Sequence, residues 1–268
     1  VSEKLTGGKY TLEGDISSQF ITGLLFALPL CNEDSEIILS SPLQSKPYVD
    51  ITIECLKKFG IKVIETDYGY FVKGHQKYLP FSANIEGDYS QAAFYFVANA
   101  LGSDIKIENL NDKSVQGDKK ILEILSKIGY NENISGLKCF CVDVGDIPDL
   151  VPILTVLGCF CDGVSRIINA ERLKIKESDR LEAIACVLNK LGGKVTVLND
   201  ELIIEPINHF VGGTIDSFND HRIVMAAAIA STKCDGKIII KNANAVEKSY
   251  PEFFRDFNNL GGKTYVIY

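Results

Sequence analysis

Four stretches of this chain end on the same alternation of apolar and polar positions: Leu56-Lys-Lys-Phe-Gly60, Leu125-Ser-Lys-Ile-Gly129, Leu188-Asn-Lys-Leu-Gly192 and Phe257-Asn-Asn-Leu-Gly261. Each predicts an amphipathic helix closed by a glycine in the left-handed conformation. The glycines recur every 63 to 69 residues, the period of a repeated supersecondary unit. About forty residues before each of them lies a second, more apolar run with a polar start, at 17–30, 90–101, 149–160 and 220–231. These predict buried helices. Between the two helices of each copy sits a short β-branched segment, at 36–39, 104–107, 165–168 and 237–240, that reads as a strand. The first, third and last glycines are followed by another apparent strand, such as Lys194-Val-Thr-Val197. The predicted unit is therefore βαβαββ, repeated four times, with one helix sunk among the sheets and the other covering them, a layered α/β architecture.

The segment 74–85, with Tyr78-Leu-Pro80, breaks the pattern between the first and second copies. It predicts a domain boundary, with one copy in 1–83 and three in 84–268. A symmetric architecture would then require further sequence before Val1. The 46% hydrophobic content over 268 residues suffices for a sizeable core. The apolar runs are interrupted by Pro, Gly or Thr and fall short of the roughly 20 residues of a membrane span, and no leader-like run opens the chain. A net charge of −7 excludes a broad nucleic-acid surface, so anionic ligands would have to be met by a local cluster of cations. The eight cysteines lie mostly in apolar runs and read as reduced, buried thiols of a cytoplasmic protein. The pairs Cys139/Cys141 and Cys159/Cys161 have no nearby histidine to complete a zinc pattern, and no metal is expected.

Candidate chemistry gathers at helix starts. In Lys174-Ile-Lys-Glu-Ser-Asp-Arg180, Ser178 or Asp179 can cap the helix that follows. Lys174, Lys176 and Arg180 add positive charge around that anion-binding helix end, with Glu177 the one nearby group able to carry a proton. Ser17-Ser-Gln19 offers hydroxyl and amide donors beside exposed backbone N–H groups, and Ser45-Lys-Pro-Tyr48 does the same before its own helix. Asp220-His-Arg222 brings a capping carboxylate, an imidazole and a guanidinium within one turn, and Arg222 can clamp a carboxylate or phosphate bidentately. Asp88 and Ser90 read as capping residues alone. Lys248 precedes a proline-led helix start as Lys46 does, so the repeat places it near a helix N-terminus.

Taken in order and spacing, Ser17-Ser-Gln19, Ser45-Lys-Pro-Tyr48, Ile147-Pro-Asp149, Lys176-Glu-Ser-Asp-Arg180, Asn219-Asp-His-Arg222 and Lys248-Ser-Tyr-Pro251 resemble the 5-enolpyruvylshikimate-3-phosphate synthase family. The resemblance runs along the whole chain. It implies a two-domain inside-out α/β barrel, each domain built of three βαβαββ copies about a pseudo-threefold axis, with the first domain incomplete here. It also implies transfer of the carboxyvinyl group of phosphoenolpyruvate to the 5-hydroxyl of shikimate 3-phosphate, releasing phosphate, with no metal or organic cofactor. Asp149 would be the base at the 5-hydroxyl. Glu177 and Lys248 would protonate the methylene and handle the departing phosphate, and His221 would tune or relay. Gln19, Arg180, Arg222 and Lys248 would hold phosphoenolpyruvate. Ser17, Ser18, Gln19, Ser45, Tyr48, Asp149 and Lys176 would hold shikimate 3-phosphate. The family's N-terminal Lys-Ser loop, Asn-x-Gly-Thr loop and Arg-Pro segment have no counterpart here, so this chain alone is expected to be inactive. A monomer with no nucleic-acid or membrane partner is expected.

Two rivals stand beside that expectation. One is the sister enzyme that transfers the same group to UDP-N-acetylglucosamine; the Ser-Ser-Gln and Lys-Glu-Ser-Asp-Arg pairings favour the shikimate enzyme over it. The other is a non-catalytic scaffold of the same fold, because fold alone does not establish function.

Overall fold

The computed structural model of the protein describes residues 5–130 and 136–267. Its packing separates two compact units. The first runs to Glu86 and includes Asn111–Gly117; the second comprises Gly87–Leu110 and the chain from Asp118 onward. The return of 111–117 to the first unit is absent from the boundary expected after residue 83. It is held by the Glu86 carboxylate, which accepts from Asn111 Nδ2 at 2.6 Å, from Gln116 Nε2 at 2.8 Å and from the Ser114 hydroxyl.

The first unit is one complete copy of the predicted repeat: β1 (Gly8–Leu12), α1 (Ser18–Ala27), β2 (Ser35–Leu39), α2 (Lys46–Lys58), β3 (Val63–Thr66) and β4 (Gly69–Val72). The strands form one sheet in the order β1-β2-β4-β3, with β1 and β2 parallel and the other neighbours antiparallel. Ile21, Leu25, Ile37, Val49, Leu56 and Val72 make its core. Phe20 and Phe26 of α1 remain exposed.

The second unit begins with α3 (Tyr89–Ala100) and α4 (Lys120–Lys127), followed by the short β5 (Leu137–Lys138). Next comes a complete copy: β6 (Cys141–Asp143), α5 (Val151–Gly158), β7 (Cys161–Asp162), β8 (Ser165–Ile168), α6 (Arg180–Lys190), β9 (Lys194–Leu198) and β10 (Glu201–Glu205). The chain closes with β11 (Gly213–Asp216), α7 (His221–Ala230), β12 (Ile238–Lys241) and α8 (Phe253–Asn259). The order β6-β8-β10-β9 repeats the topology of the first sheet, strand for strand, with the two-residue β7 set aside to pair with β5.

In the second unit the more apolar helices are the buried ones, as their all-round hydrophobicity requires, whereas α1 of the first unit, also expected to be buried, buries only Ile21 and Leu25. Every residue of α5 and of α7 is buried, α3 is largely so, and the three pack against one another at the centre of the unit. The amphipathic helices α4 and α6 bury one face only. The helix-ending glycines Gly60, Gly129, Gly192 and Gly261 all have φ between +80° and +103°, a region costly to any residue with a Cβ.

Two of the predicted strands do not form. Residues 104–107 and the stretch after Gly262 have no ladder partner among the described residues. At 104–107 the side-chain alternation survives, with Ile105 and Ile107 half-buried against the core. A strand needs a neighbour to satisfy its backbone groups, and side-chain pattern alone does not supply one. An asparagine does part of that work. Asn99 bonds the backbone of Ile105 through both its amide atoms at 2.8 Å, Asn189 treats Val195 alike at 2.7 and 2.8 Å, and Asn258 accepts from Thr264 N at 2.9 Å. Each of these residues stands three positions before a helix-ending glycine.

A second repeated device closes the parallel strand pairs. Asn169 donates to Asp143 at 3.0 Å, Asn242 donates to Asp216 at 3.4 Å, and Ser41 donates to Asp15 at 2.5 Å, each across a span of 26 residues. Asn169 and Asn242 sit directly after the second strand of the pair with φ of 59° and 56°, a conformation asparagine tolerates better than most residues. These bridges fix where the next segment starts, and those segments lead into α5 and α7.

Replacing Asn189 by alanine removes both bonds to Val195. With neutral hydrogen bonds contributing about 1 kcal/mol each, Asn189→Ala should lower unfolding stability by about 1–2 kcal/mol in urea titration. An unchanged midpoint would show that the clamp contributes nothing.

Candidate active site

The starts of the three central helices converge in the second unit, and the predicted site residues of that unit meet there. Asp88 caps α3, accepting from Ser90 N at 2.8 Å. Pro148-Asp149-Leu150 forms a single 3-10 turn that leads into α5. Asp220 caps α7, accepting from Arg222 N at 2.9 Å. The motif Lys176-Glu-Ser-Asp-Arg180 approaches from the side at the start of α6, where Asp179 is the cap and accepts from Glu182 N at 3.2 Å. Ser178 is free of that duty and donates to Asp220 Oδ2 at 3.1 Å.

Arg180 is the hub. Its guanidinium is 1% exposed and contacts three carboxylates from three parts of the chain: Nε donates to Asp220 at 2.8 Å, Nη1 to Asp149 at 2.7 Å and Nη2 to Glu177 at 2.5 Å. Arg222 takes the other oxygen of Asp149, Nη2 to Oδ2 at 2.8 Å, and the same nitrogen donates to Ser90 Oγ at 2.9 Å. Asp149 thus lies between two guanidinium groups. Burial pushes its carboxyl up, but the charges of Arg222, Arg180 and Lys176 outweigh that and hold it far below the ordinary carboxylate range. Asp220, wholly buried, is likewise raised by burial and lowered further by Arg180 and by its backbone bond from Arg222. His221 is held below its ordinary value, first by burial and then by the neighbouring Arg222. Its Nδ1 is buried without a hydrogen-bond partner, 3.9 Å from Asp220 Oδ1. Lys176 is lowered by desolvation and by repulsion from Arg180 and Arg172, with Asp149 pulling the other way.

The rim is more open. Glu177 and Lys176 are exposed, and Lys248 ends a 3-10 turn (Ala243–Lys248) with its ammonium on the backbone carbonyl of Asn219, beside the start of α7. The sequence position of Lys248 points instead to the helix that follows it, α8. Ser90 was expected to cap and nothing more; Asp88 does the capping, and the Ser90 hydroxyl faces Arg222. The reading missed it because a contact spanning 132 residues leaves no trace in local spacing.

The remaining predicted residues belong to the first unit. Ser17 caps α1, accepting from Gln19 N at 3.3 Å, and Ser18 opens the helix, leaving Gln19 exposed in its first turn. Ser45 is buried in a left-handed conformation, φ 56°, directly before α2, with Pro47 and Tyr48 in the first turn. Lys46 is engaged by Asp50 at 2.7 Å and by Glu65 at 3.4 Å. All eight cysteines are free thiols, and Cys139 and Cys141 are exposed, against the expectation of burial. Among the described residues no cluster of three potential ligands could hold a metal ion, and no helix is long and apolar enough to cross a membrane.

The doubled βαβαββ topology and the cation–carboxylate cluster at converging helix starts define an α/β protein of the enolpyruvyl-transferase type. An EPSP synthase structure from Acinetobacter baumannii superposes with a TM-score of 0.80 at 26% identity, covering 98% of this chain and 64% of that one. An enolpyruvyl transferase from Streptomyces tendae, 14% identical, shares the fold with a TM-score of 0.69. Residues 1–257 match the family of EPSP synthase (3-phosphoshikimate 1-carboxyvinyltransferase), and the chain belongs to that family. It is 47% identical to the 3-phosphoshikimate 1-carboxyvinyltransferases of Clostridium perfringens (strain ATCC 13124) and Clostridium novyi (strain NT), over 98% of its own length in both cases. It spans 64% and 62% of those relatives.

Two stability predictions follow from the cluster. Arg180→Met strips the wholly buried Asp220 of its counter-charge and should cost about 3–5 kcal/mol in chemical denaturation. Lys248→Met, on the exposed rim, should leave the midpoint where it is. Equal effects would show that the hub carries no special weight. The second concerns pH. His221 has a folded value below its unfolded 6.5, so the unfolded chain gains a proton first as pH falls through 6.5 and stability declines. Asp149 and Asp220, depressed below 3.8, add a steeper loss only under that lower value. Denaturation midpoints measured from pH 8 to pH 5 should therefore fall, and His221→Gln should flatten the fall; an identical slope in the variant would refute the assignment.

Proposed function

We propose that this chain belongs to an enzyme that transfers the carboxyvinyl group of phosphoenolpyruvate to the 5-hydroxyl of shikimate 3-phosphate with release of phosphate. The observation that carries the reading is the pairing of Asp149 with Arg180 and Arg222 at three helix starts, within a chain matched to the EPSP synthase family over residues 1–257. Addition of the alcohol across the double bond of the enol phosphate needs a base for the hydroxyl and an acid for the methylene carbon. Expulsion of phosphate then reverses those proton movements.

Asp149 serves as the base. Clamped by two guanidinium groups it is a poor one, and the substrate itself supplies the remedy. The carboxylate and phosphate of phosphoenolpyruvate compete for the N–H groups of Arg222 and Arg180, weakening the hold on Asp149 and letting its proton affinity rise as the reacting hydroxyl arrives. In the second unit Arg180, Arg222 and Lys248 meet the anionic groups of phosphoenolpyruvate, and Lys176 and Asp149 are assigned to shikimate 3-phosphate. In the first unit Ser17, Ser18, Gln19, Ser45 and Tyr48 are assigned to shikimate 3-phosphate, and Gln19 to phosphoenolpyruvate as well. Glu177 and Lys248, both at the solvent rim, share protonation of the methylene and handling of the departing phosphate, while His221 tunes Asp220 and Arg222. The free thiols suit a cytoplasmic enzyme.

Calorimetric titration of phosphoenolpyruvate into the chain tests the assignment. Replacing Arg222 by lysine abolishes bidentate recognition while keeping the charge, so Arg222→Lys should weaken binding about tenfold or more. Unaltered affinity in that variant, or no binding to the folded wild-type chain, would count against this cluster as the phosphoenolpyruvate site.

A further inference from the structure

Arg222 is firmly bound on one nitrogen, weakly on a second and bare on the third. The two hydrogens of Nη2 are taken by Asp149 Oδ2 at 2.8 Å and by Ser90 Oγ at 2.9 Å, and Nη1 lies 3.5 Å from the Asp149 backbone oxygen. Nε is buried with no hydrogen-bond partner in a residue only 6% exposed. An unsatisfied buried N–H on a guanidinium is costly unless something anionic is to meet it. An arriving anion can use Nε or the second hydrogen of Nη1, or it can take Nη2 from Asp149.

Two of the three acceptors on Arg222 belong to Asp149 itself. If the Asp149 carboxylate lets go to act as a base, Arg222 loses its one charged contact and keeps only the 3.5 Å approach to the Asp149 backbone oxygen from that residue, so its long flexible side chain would loosen just when it is needed. Ser90 is the short contact that remains. It is buried, 6% exposed, and it sits in the first turn of α3, anchored by the Asp88 cap through its backbone N–H rather than through its hydroxyl. Being neutral, it does not compete electrostatically with a bound anion as a carboxylate would. Beside it, Gln91 donates to Ser249 Oγ at 3.2 Å, so the same turn of α3 also steadies the residue after Lys248.

We propose that Ser90 is a positioning residue, which keeps the Arg222 guanidinium in place for the anionic substrate while Asp149 is released. This rests on the reading of Arg222 as a phosphoenolpyruvate ligand, and the experiment separates the two. The rotation of the Arg222 guanidinium is measured by NMR exchange of its Nη groups in the isotope-labelled chain, for wild type, Ser90→Ala, Ser90→Thr and Asp149→Asn, and for Asp149→Asn combined with Ser90→Ala. Asp149→Asn stands in for the released carboxylate. Rotation in Asp149→Asn should stay slow, and adding Ser90→Ala should speed it about tenfold, the order expected for one charge-assisted hydrogen bond. Ser90→Thr, which keeps the hydroxyl, should behave as wild type. If Ser90→Ala fails to fold, Ser90→Cys, a weak acceptor in the same shape, replaces it in both backgrounds. Rotation equally fast with and without Ser90 in the Asp149→Asn background overturns the proposal. Titration with phosphoenolpyruvate is the second arm: about tenfold weaker binding in Ser90→Ala, restored in Ser90→Thr, supports the positioning role. An unweakened affinity in Ser90→Ala overturns it. Slow rotation that depends on Ser90 in a chain that takes up no phosphoenolpyruvate upholds the Arg222–Ser90 coupling and overturns the ligand assignment instead.

Discussion

A guanidinium taken out of water has to be neutralised where it lies, and Arg180 is neutralised by three carboxylates that the chain delivers from three separate places. Burial of a charge costs several kcal/mol unless partners and geometry compensate, so the positions of Asp149, Glu177 and Asp220 are not independent. Asp220 is inaccessible to solvent and already accepts from the backbone of its own helix; its second oxygen can only be satisfied from the side of α6. Asp149 must stand in register with both arginines. The starts of α5, α6 and α7 are tied to one another through one side chain, and the other contacts of the cluster, Ser178 on Asp220 and Arg222 on Asp149 and Ser90, adjust to that arrangement.

The repeat explains why such a meeting point exists. A unit that buries an apolar helix among its sheets must stack that helix against its counterparts, and α3, α5 and α7 do so. Helices related by a repeat point the same way, so their N-termini gather at one end, each with unpaired N–H groups and the positive end of its dipole. Asp88 and Asp220 answer that shared demand as caps, while Asp149, in the turn before α5, gives its carboxylate to the two arginines. The bridges Asp143–Asn169 and Asp216–Asn242 set the strand ends from which the loops to α5 and α7 depart. Local capping chemistry at α3 and α7, joined by Asp149 and the arginines, thereby becomes a single charged cluster.

What the sequence revealed follows the same division. Helical periodicity and glycine stops are local signals, and the eight α-helices among the described residues were legible from them and from the polar starts of the apolar runs. The motif Lys176-Glu-Ser-Asp-Arg180 announced charge at a helix start, because capping residues and cations stand side by side in it. Pairing was less visible. The bond from Arg180 to Asp220 spans 40 residues and that from Arg222 to Ser90 spans 132, and no spacing rule reaches so far. Residues 104–107 carry a correct strand alternation yet lack a ladder, since alternation reports which face is buried and says nothing of whether a neighbour is present. Cys139 and Cys141 stand exposed although they flank an aromatic residue, for the same reason: composition describes a run, and the sheet decides which side of it faces water.

The cluster also holds a tension between stability and chemistry. The cations that would receive an anionic substrate are the cations that keep Asp149 ionised and unreactive in the free protein. A carboxylate held far below its ordinary range accepts a proton reluctantly, so a base in this position is idle until its partners are drawn away. In the proposed reaction an anion binding Arg222 and Arg180 would supply that pull and would itself be the reactant. Base strength would then rise only when substrate occupied the site, and the ion pairs of the free protein would be exchanged for charged contacts with the ligand. Arg180, which also holds carboxylate oxygens of Asp220 and Glu177, can release Asp149 at smaller cost than Arg222 can. Arg222 therefore needs a holding contact that carries no charge of its own, and Ser90 is the neutral acceptor the fold places against it.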